Sequence, residues 1–285
     1  MRETVVGNSL AGMRFDRALA NLTGLGLRGA RRMIGDGGVL LNGQPAAKGA
    51  LIRAGDRIEF AESARAQRQC CVLGTQGAYC FFYKPAGMHT TALAGRDNAS
   101  LEQSLPSLCS EHNLPCGVQL LQRLDFGTSG LVCGAMNKTA AAAYRYWQKL
   151  GKCSKFYYAA LSGRLEHAVT ARFALMGSGK RMTCGREAGE PLRWTDFEPL
   201  WHGELNGYGE VTLARCLIRS GQRHQIRAHA QGIGHPLAGD GLYGGGEALD
   251  KFLLSHYRLE FPGHRALWKD AAFMARFTQI AVWED

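Results

Sequence analysis

Apolar residues along this chain recur at two different spacings, and the changes in spacing mark where elements begin and end. Phe15, Ala18, Leu19 and Leu22 fall at helical intervals, which predicts a helix with one buried face. A second helix is expected from Leu27, with Met33 and Ile34 turned inward, Arg28, Arg31 and Arg32 carried on it, and the glycines between 35 and 38 stopping it. Val39-Leu40-Leu41 then reads as a strand running into an Asn42-Gly43 hairpin turn. Arg53-Ala54-Gly55-Asp56 turns into a short alternating strand that ends at Phe60.

Residues 61–76 are polar, then mixed, and read as a linker. Ala78 to Lys84 is apolar and aromatic, a strand closed by the turn Lys84-Pro85-Ala86-Gly87. Helices are expected over 101–112 and 139–150. The second has Ala140, Ala143, Tyr144 and Trp147 on one face and Lys138, Arg145, Lys149 and Lys152 on another. Strands are expected over 155–163 and 210–219, a tight turn at Ser220-Gly221, and a helix over 224–231. Residues 249–261 and 267–283 complete the sheet and its cover. Strands and helices mix without βαβ regularity, so the pattern predicts an α+β chain. Its expected divisions are a small first domain (1–60), the linker (61–76) and a large second domain (77–285).

Composition narrows the class. With 46% hydrophobic and 20% charged residues the 285-residue chain is globular. No apolar run approaches the roughly 20 residues of a membrane span, and Met1 to Phe15 shows no secretory pattern, so a cytoplasmic protein is expected. Nine cysteines, an odd number with no Cys-x-x-Cys, speak against a disulfide framework or structural zinc. The net charge of +10 tilts the partner toward a polyanion such as RNA or DNA.

One run concentrates the chemistry: Arg123-Leu124-Asp125-Phe126-Gly127-Thr128-Ser129-Gly130-Leu131. A carboxylate among apolar, small and hydroxylated residues is either paired and functional or caps a turn. Three further segments stand out: Lys84-Pro85-Ala86-Gly87, Lys155-Phe156-Tyr157-Tyr158-Ala159, and Gly221-Gln222-Arg223-His224-Gln225-Ile226-Arg227-Ala228-His229. Tyr157 and Tyr158 compete for one role, because neighbouring strand residues face opposite ways. His224 and His229 are five apart and do not share a helix face, which speaks against a two-histidine metal site.

These segments in this order, with Gly234-His235-Pro236-Leu237-Ala238-Gly239-Asp240 and Tyr243-Gly244 after them, resemble the RluA-type pseudouridine synthases over residues 78–262. The first sixty residues resemble an S4 RNA-binding domain through Phe15-Asp16, Arg28, Arg31, Arg32, Val39, Asn42-Gly43 and Gly55-Asp56-Arg57-Ile58. Eleven Lys/Arg against six Asp/Glu in residues 1–68 fit phosphate contact. The resemblance implies a pseudouridine synthase fold with a mixed, mainly antiparallel sheet, behind a small S4-like α+β domain. It implies isomerisation of uridine to pseudouridine in structured RNA, without cofactor or metal. Large-subunit ribosomal RNA is the expected substrate, transfer RNA the competing one, and a monomer is expected.

The resemblance also assigns residues. Asp125 is the catalytic carboxylate near C1′, Arg227 the partner that keeps it ionised, and Tyr157 the ring that stacks on the extruded base. Arg123 enters the space the base leaves. Lys155, His224, Gln225 and Ile226 surround the substrate, and Arg28, Arg31 and Arg32 meet RNA phosphates. The chain departs from the family pattern at Gln122, where His is usual, at Gln222-Arg223, where the arginine is shifted one place, and at Ser255, where His is usual. A binding protein without catalysis and a metal-dependent RNA hydrolase are the alternative readings.

Overall fold

The computed structural model describes all residues except 1, 25, 36–38, 45, 61–68, 93–98, 188, 246–251 and 278–285. The described chain divides into two compact units, Met1–Gln69 and Cys70–Asp285.

In the first unit β1 (Arg2–Val5) is followed by α1 (Phe15–Thr23), α2 (Leu27–Gly35), β2 (Val39–Leu41) and β3 (Arg57–Phe60). The three strands are antiparallel, with β3 in the middle. Phe15, Ala18 and Leu19 of α1 meet Ala30 and Ile34 of α2 over Val39, Ile52 and Ile58 in a single core, as the helical spacing requires. Asp16 is fully buried and bound by Arg31 at 2.8 Å and by Arg14 at 3.2 Å. The Arg31 hydrogen bond holds its carboxyl below the usual range. Asn42 adopts φ +52 at the β2 turn. It donates to Asp56 and accepts from the Arg57 backbone N–H, which fastens that turn to β3.

The second unit runs β4 (Cys71–Gln76), β5 (Tyr79–Lys84), α3 (Leu101–Glu111), β6 (Gln119–Leu120), β7 (Ser129–Ala135), α4 (Lys138–Lys149) and β8 (Ser154–Ser162). It continues with β9 (Val169–Ala171), β10 (Phe173–Ser178), β11 (Arg181–Glu187), β12 (Thr195–Leu205) and β13 (Gly209–Ile218). Last come α5 (Gln225–Gly232), β14 (Leu254–Phe261), β15 (His264–Leu267) and α6 (Ala271–Met274). Among the described residues ten strands form one sheet, in the order β4-β5-β7-β14-β8-β13-β12-β9, with β6 on β7 and β15 on β14. β10 and β11 form a separate hairpin. The pairings in the large sheet are antiparallel except β7 with β14, so the sheet is mixed and mainly antiparallel, as expected of an α+β chain. Among the described residues no helix is long and apolar enough to cross a membrane.

One expectation fails. Residues 71–76 are not linker: they form β4, hydrogen-bonded to β5, because Cys71 and Val72 lie against a fully buried neighbour strand. The linker's remainder, 61–68, lies outside the described residues. Of residues 267–283, Leu267 ends β15 in the sheet and Phe273 and Phe277 pack on its face as cover. Asp270 caps the short α6 by accepting from the Phe273 N–H at 3.1 Å; 278–283 lie outside the described residues.

The parallel seam between β7 and β14 explains the Thr-Ser-Gly run. Ser129 faces Ser255 and Gly130 faces His256. Both serine hydroxyls donate to the buried Asp270, at 2.5 and 2.9 Å. Ser255, an odd residue by family pattern, thus has a structural partner. Gly130 sits at φ +116, and a Cβ there would lie 2.2 Å from the His256 carbonyl oxygen. Gly130→Ala is expected to lower unfolding free energy by about 3 kcal/mol or more. Urea denaturation measures this, and a loss under about 1 kcal/mol would mean the seam yields easily.

Candidate active site

Asp125 sits on a loop that two neighbours hold. Thr90 grips the preceding residue twice: its hydroxyl donates to the Leu124 carbonyl at 2.9 Å and accepts the Leu124 N–H at 3.0 Å. Gly87 N–H donates to the Phe126 carbonyl, and Thr128 N–H to that of Asp125. The Lys84-Pro85-Ala86-Gly87 segment is therefore the brace of the Asp125 loop. Lys84 itself is wholly buried, its Nζ donating to the carbonyls of Pro85 and Met88. Burial pushes its pKa down to about 7, with the negative charge of Asp125 working the other way.

Arg227 comes from the first turn of α5 and is 7% exposed. Its Nε and Nη2 donate to the two oxygens of Asp240 at 2.6 and 2.9 Å, a bidentate pair. Its Nη1 lies 3.5 Å from Asp125 Oδ2. Phe252 and Tyr243 lie against the guanidinium, 4.3 and 5.0 Å from its carbon. Gly127 leaves room for this, since a Cβ there would collide with the Phe252 ring at 2.7 Å. Burial works against the Arg227 charge, but the hydrogen bond to Asp240 and the negative charges of Asp240 and Asp125 together outweigh it, and the pKa ends above its ordinary value.

Tyr157 projects from β8 toward the same place, and its ring is backed by His256 of β14, stacked at 4.5 Å. Burial, and then the charge of Asp125, raise its phenol pKa, so it is a neutral O–H group at physiological pH. Tyr158 points to the opposite face and stacks on Tyr257 at 3.9 Å. His256 Nδ1–H donates to the Leu131 carbonyl at 2.6 Å, and burial lowers its pKa to about 4, leaving it uncharged. Lys155 Nζ donates to the Ser220 carbonyl at 2.6 Å, and burial lowers its pKa to about 8. Arg123, Asp125, Lys155, Tyr157, Gln222, Arg227 and their neighbours line a cleft of about 340 Å³. Among the described residues no group of three or more His, Cys, Asp or Glu is placed to hold a metal.

A family model described as RNA pseudouridylate synthase matches residues 78–232, the stretch that contains this cleft. The chain belongs to that family. It is an isomerase of the kind that converts uridine to pseudouridine in RNA. An uncharacterized RNA pseudouridine synthase of Mycobacterium bovis is 27% identical over 266 residues, spanning 88% of this chain and 85% of that one. A dual-specificity RNA pseudouridine synthase RluA of Vibrio vulnificus is 31% identical over 167 residues, 55% of this chain and 65% of its own. The solved structure of human RNA Pseudouridylate Synthase Domain Containing 1 shares the fold, with a TM-score of 0.57, 22% identity and coverage of 71% of this chain and 84% of that one.

In this synthase the residues expected at the site divide into two groups. Asp125, Tyr157, Arg227, Arg123, Lys155 and His224 all line the cleft, and His224 Nδ1 lies 3.0 Å from the Tyr243 hydroxyl. Gln225 and Ile226 border it but are spent elsewhere. The Gln225 amide donates to the carbonyls of Arg193 and Trp194 and accepts the Gln222 N–H, and Ile226 belongs to the core. Arg227 reaches Asp125 at 3.5 Å, while Asp240 holds its guanidinium more closely. Asp240, Tyr243, Phe252, His256 and the lysine brace were given no role by sequence reasoning. The Gly239-Asp240 and Tyr243-Gly244 motifs carried the signal for two of them.

Lys84 yields a pH test. Folded, it titrates near 7; unfolded, near an ordinary lysine value of about 10.4. Between those values the unfolded chain holds more protons, so raising the pH favours the fold. The stability of the wild type minus that of Lys84→Met is expected to rise by up to about 1.4 kcal/mol per pH unit from about pH 7 to about pH 9. Urea unfolding at several pH values checks it, and a flat or falling difference would place Lys84 in water.

Proposed function

We propose that Asp125 performs the isomerisation, with Arg227 holding its carboxylate in the ionised, oriented state and Tyr157 holding the extruded uracil. The observation that carries this reading is the convergence of the three side chains in one cleft from positions 102 residues apart in sequence. The reaction exchanges the bond from N1 to C1′ for one from C5 to C1′, and the proton lost at C5 is matched by one gained at N1. It needs a fixed anion beside the sugar, a surface on which a freed base can turn, and a group that handles a proton at C5. Asp125, a quarter exposed toward the cleft, offers the first. The Tyr157 ring, backed by His256, offers the second, and stacking offsets part of the few kcal/mol that extrusion costs. The Tyr157 hydroxyl, kept protonated by burial, serves the third as a relay, passing its own proton to the Asp125 carboxylate as it takes the one from C5. Arg123, exposed at the rim, fills the gap the base leaves in the RNA.

The substrate we propose is large-subunit ribosomal RNA, with transfer RNA the alternative. Asp125→Asn is expected to abolish pseudouridine formation, by at least about 10³-fold, while RNA affinity changes little. Site-resolved pseudouridine mapping of total RNA, with and without the gene and with this variant, checks both target and residue. Turnover near wild type in Asp125→Asn would remove the carboxylate from its role, and an unchanged map in cells lacking the gene would favour a purely binding function.

The first unit is proposed to be an S4-like RNA-binding module. Arg28 is exposed on α2, whereas Arg31, 45% exposed, shares its guanidinium with Asp16; the Arg32 side chain lies outside the described residues. Arg28 is therefore the stronger phosphate ligand of the pair. RNA affinity is expected to fall with salt, and Arg28→Ala to reduce the slope of log K against log salt by about 1. An identical slope in filter-binding titrations would take Arg28 off the RNA.

A further inference from the structure

The catalytic cleft does not end at Gln222. On the other side of that residue lies a second cavity of about 420 Å³, lined by Arg145, Lys149, Gln148, Leu192, Arg193 and Gln222, with Ser220 and Glu190 at its margin. Gln148 and Gln222 line both spaces. Volume in this range accommodates a ligand the size of a nucleotide.

Gln222 is held as a fixed partition. Its backbone N–H donates to the Gln225 side chain and its carbonyl accepts the Gln225 N–H; the Gln225 amide is in turn tied to the 193–195 segment. Only the carboxamide is unspent: Oε1 is buried and has no hydrogen-bond partner. A buried polar atom without a partner is rare in a folded chain, and this one belongs to a residue that lines both spaces. The far walls are cationic. Arg145 and Lys149 are four apart on α4, so they share a face, both are exposed, and neither has an ion-pair partner among the described residues. Arg193 opposite them is paired with Glu190. The floor is apolar at Leu192, held by its carbonyl to Ser220.

We propose that this groove receives the nucleotide next to the target uridine, with Arg145 and Lys149 on its phosphate and the Gln222 carboxamide on its base edge. The proposal rests on the reading of the cleft as the uridine site. A phosphate needs the exposed cations, an unstacked base needs an apolar floor, and a carboxamide offers both a donor and an acceptor to a base edge. Gln222 is thus a specificity-determining residue, and it stands where the family pattern has a different one.

The test uses the full chain and a pool of RNA stem-loops with one fixed loop uridine and randomised neighbours. Bound and converted molecules are sequenced separately. Wild type is expected to favour one nucleotide at one flanking position by about tenfold, and Gln222→Ala to flatten that preference to within about threefold. Gln222→Glu, which retains shape but not the amide donor, is expected to change which nucleotide is preferred. Arg145→Ala with Lys149→Ala is expected to weaken binding of every sequence alike, with a salt slope lower by about 2. Thermal melting of each variant separates these effects from misfolding. A preference that survives Gln222→Ala, or a wild type with no preference at the flanking positions, overturns the proposal. Absence of pseudouridine in every pool member would instead overturn the uridine reading, and the bound fraction would still decide for or against Gln222.

Discussion

The guanidinium of Arg227 is the point on which the site depends. It is almost entirely buried, and a buried cation needs a full set of partners. Asp240 takes two of its N–H groups in a short, planar pair, two aromatic rings lie against its faces, and Asp125 is reached by what remains. The order of closeness matters. Asp240 is 1% exposed and neutralises the charge; Asp125 is 25% exposed and only touched. A carboxylate as deeply buried and as closely paired as Asp240 is out of a substrate's reach. The structure keeps one acid for fixing the arginine and leaves the other available.

The same division of labour recurs around the cleft. Lys84, Thr90 and Gly87 brace the loop that carries Asp125 without entering the cleft, and His256, uncharged, supports the ring of Tyr157 from behind. Gln225 fastens the turn before α5 to the 193–195 segment. Groups that would otherwise be read as chemical (a buried lysine, a buried histidine, a glutamine in a conspicuous motif) are spent on holding three side chains still.

Much of this could be read from the sequence, and the remainder was unreadable for definite reasons. The helices of the first unit follow from the spacing of Phe15, Ala18 and Leu19, and α4 from Ala140 and Tyr144, because local periodicity reports burial directly. The opposition of Tyr157 and Tyr158 follows from the strand repeat. Residues 71–76 were missed as a strand because polar and glycine residues there mask an edge strand whose partner β5 supplies the burial. The motif around Asp240 marked it out, but its role was unreadable because an acid in a glycine-rich turn looks like turn chemistry until its arginine is seen beside it. Nor does any local pattern announce that Ser129 and Ser255 share the carboxylate of Asp270, since that contact joins segments more than 120 residues apart.

The position of β14 has a temporal meaning. It lies between β7 and β8, so the half of the sheet next to the Asp125 loop and the half that carries Tyr157 meet only across a strand that is made near the end of the chain. Before residues 254–261 exist, neither half has its central neighbour, Tyr157 lacks the ring behind it, and Phe252 has not reached Arg227. The cleft therefore depends on residues that are made after every other strand of the sheet except β15. A chain that lacks β14 has two unjoined sheet edges instead of a partial enzyme.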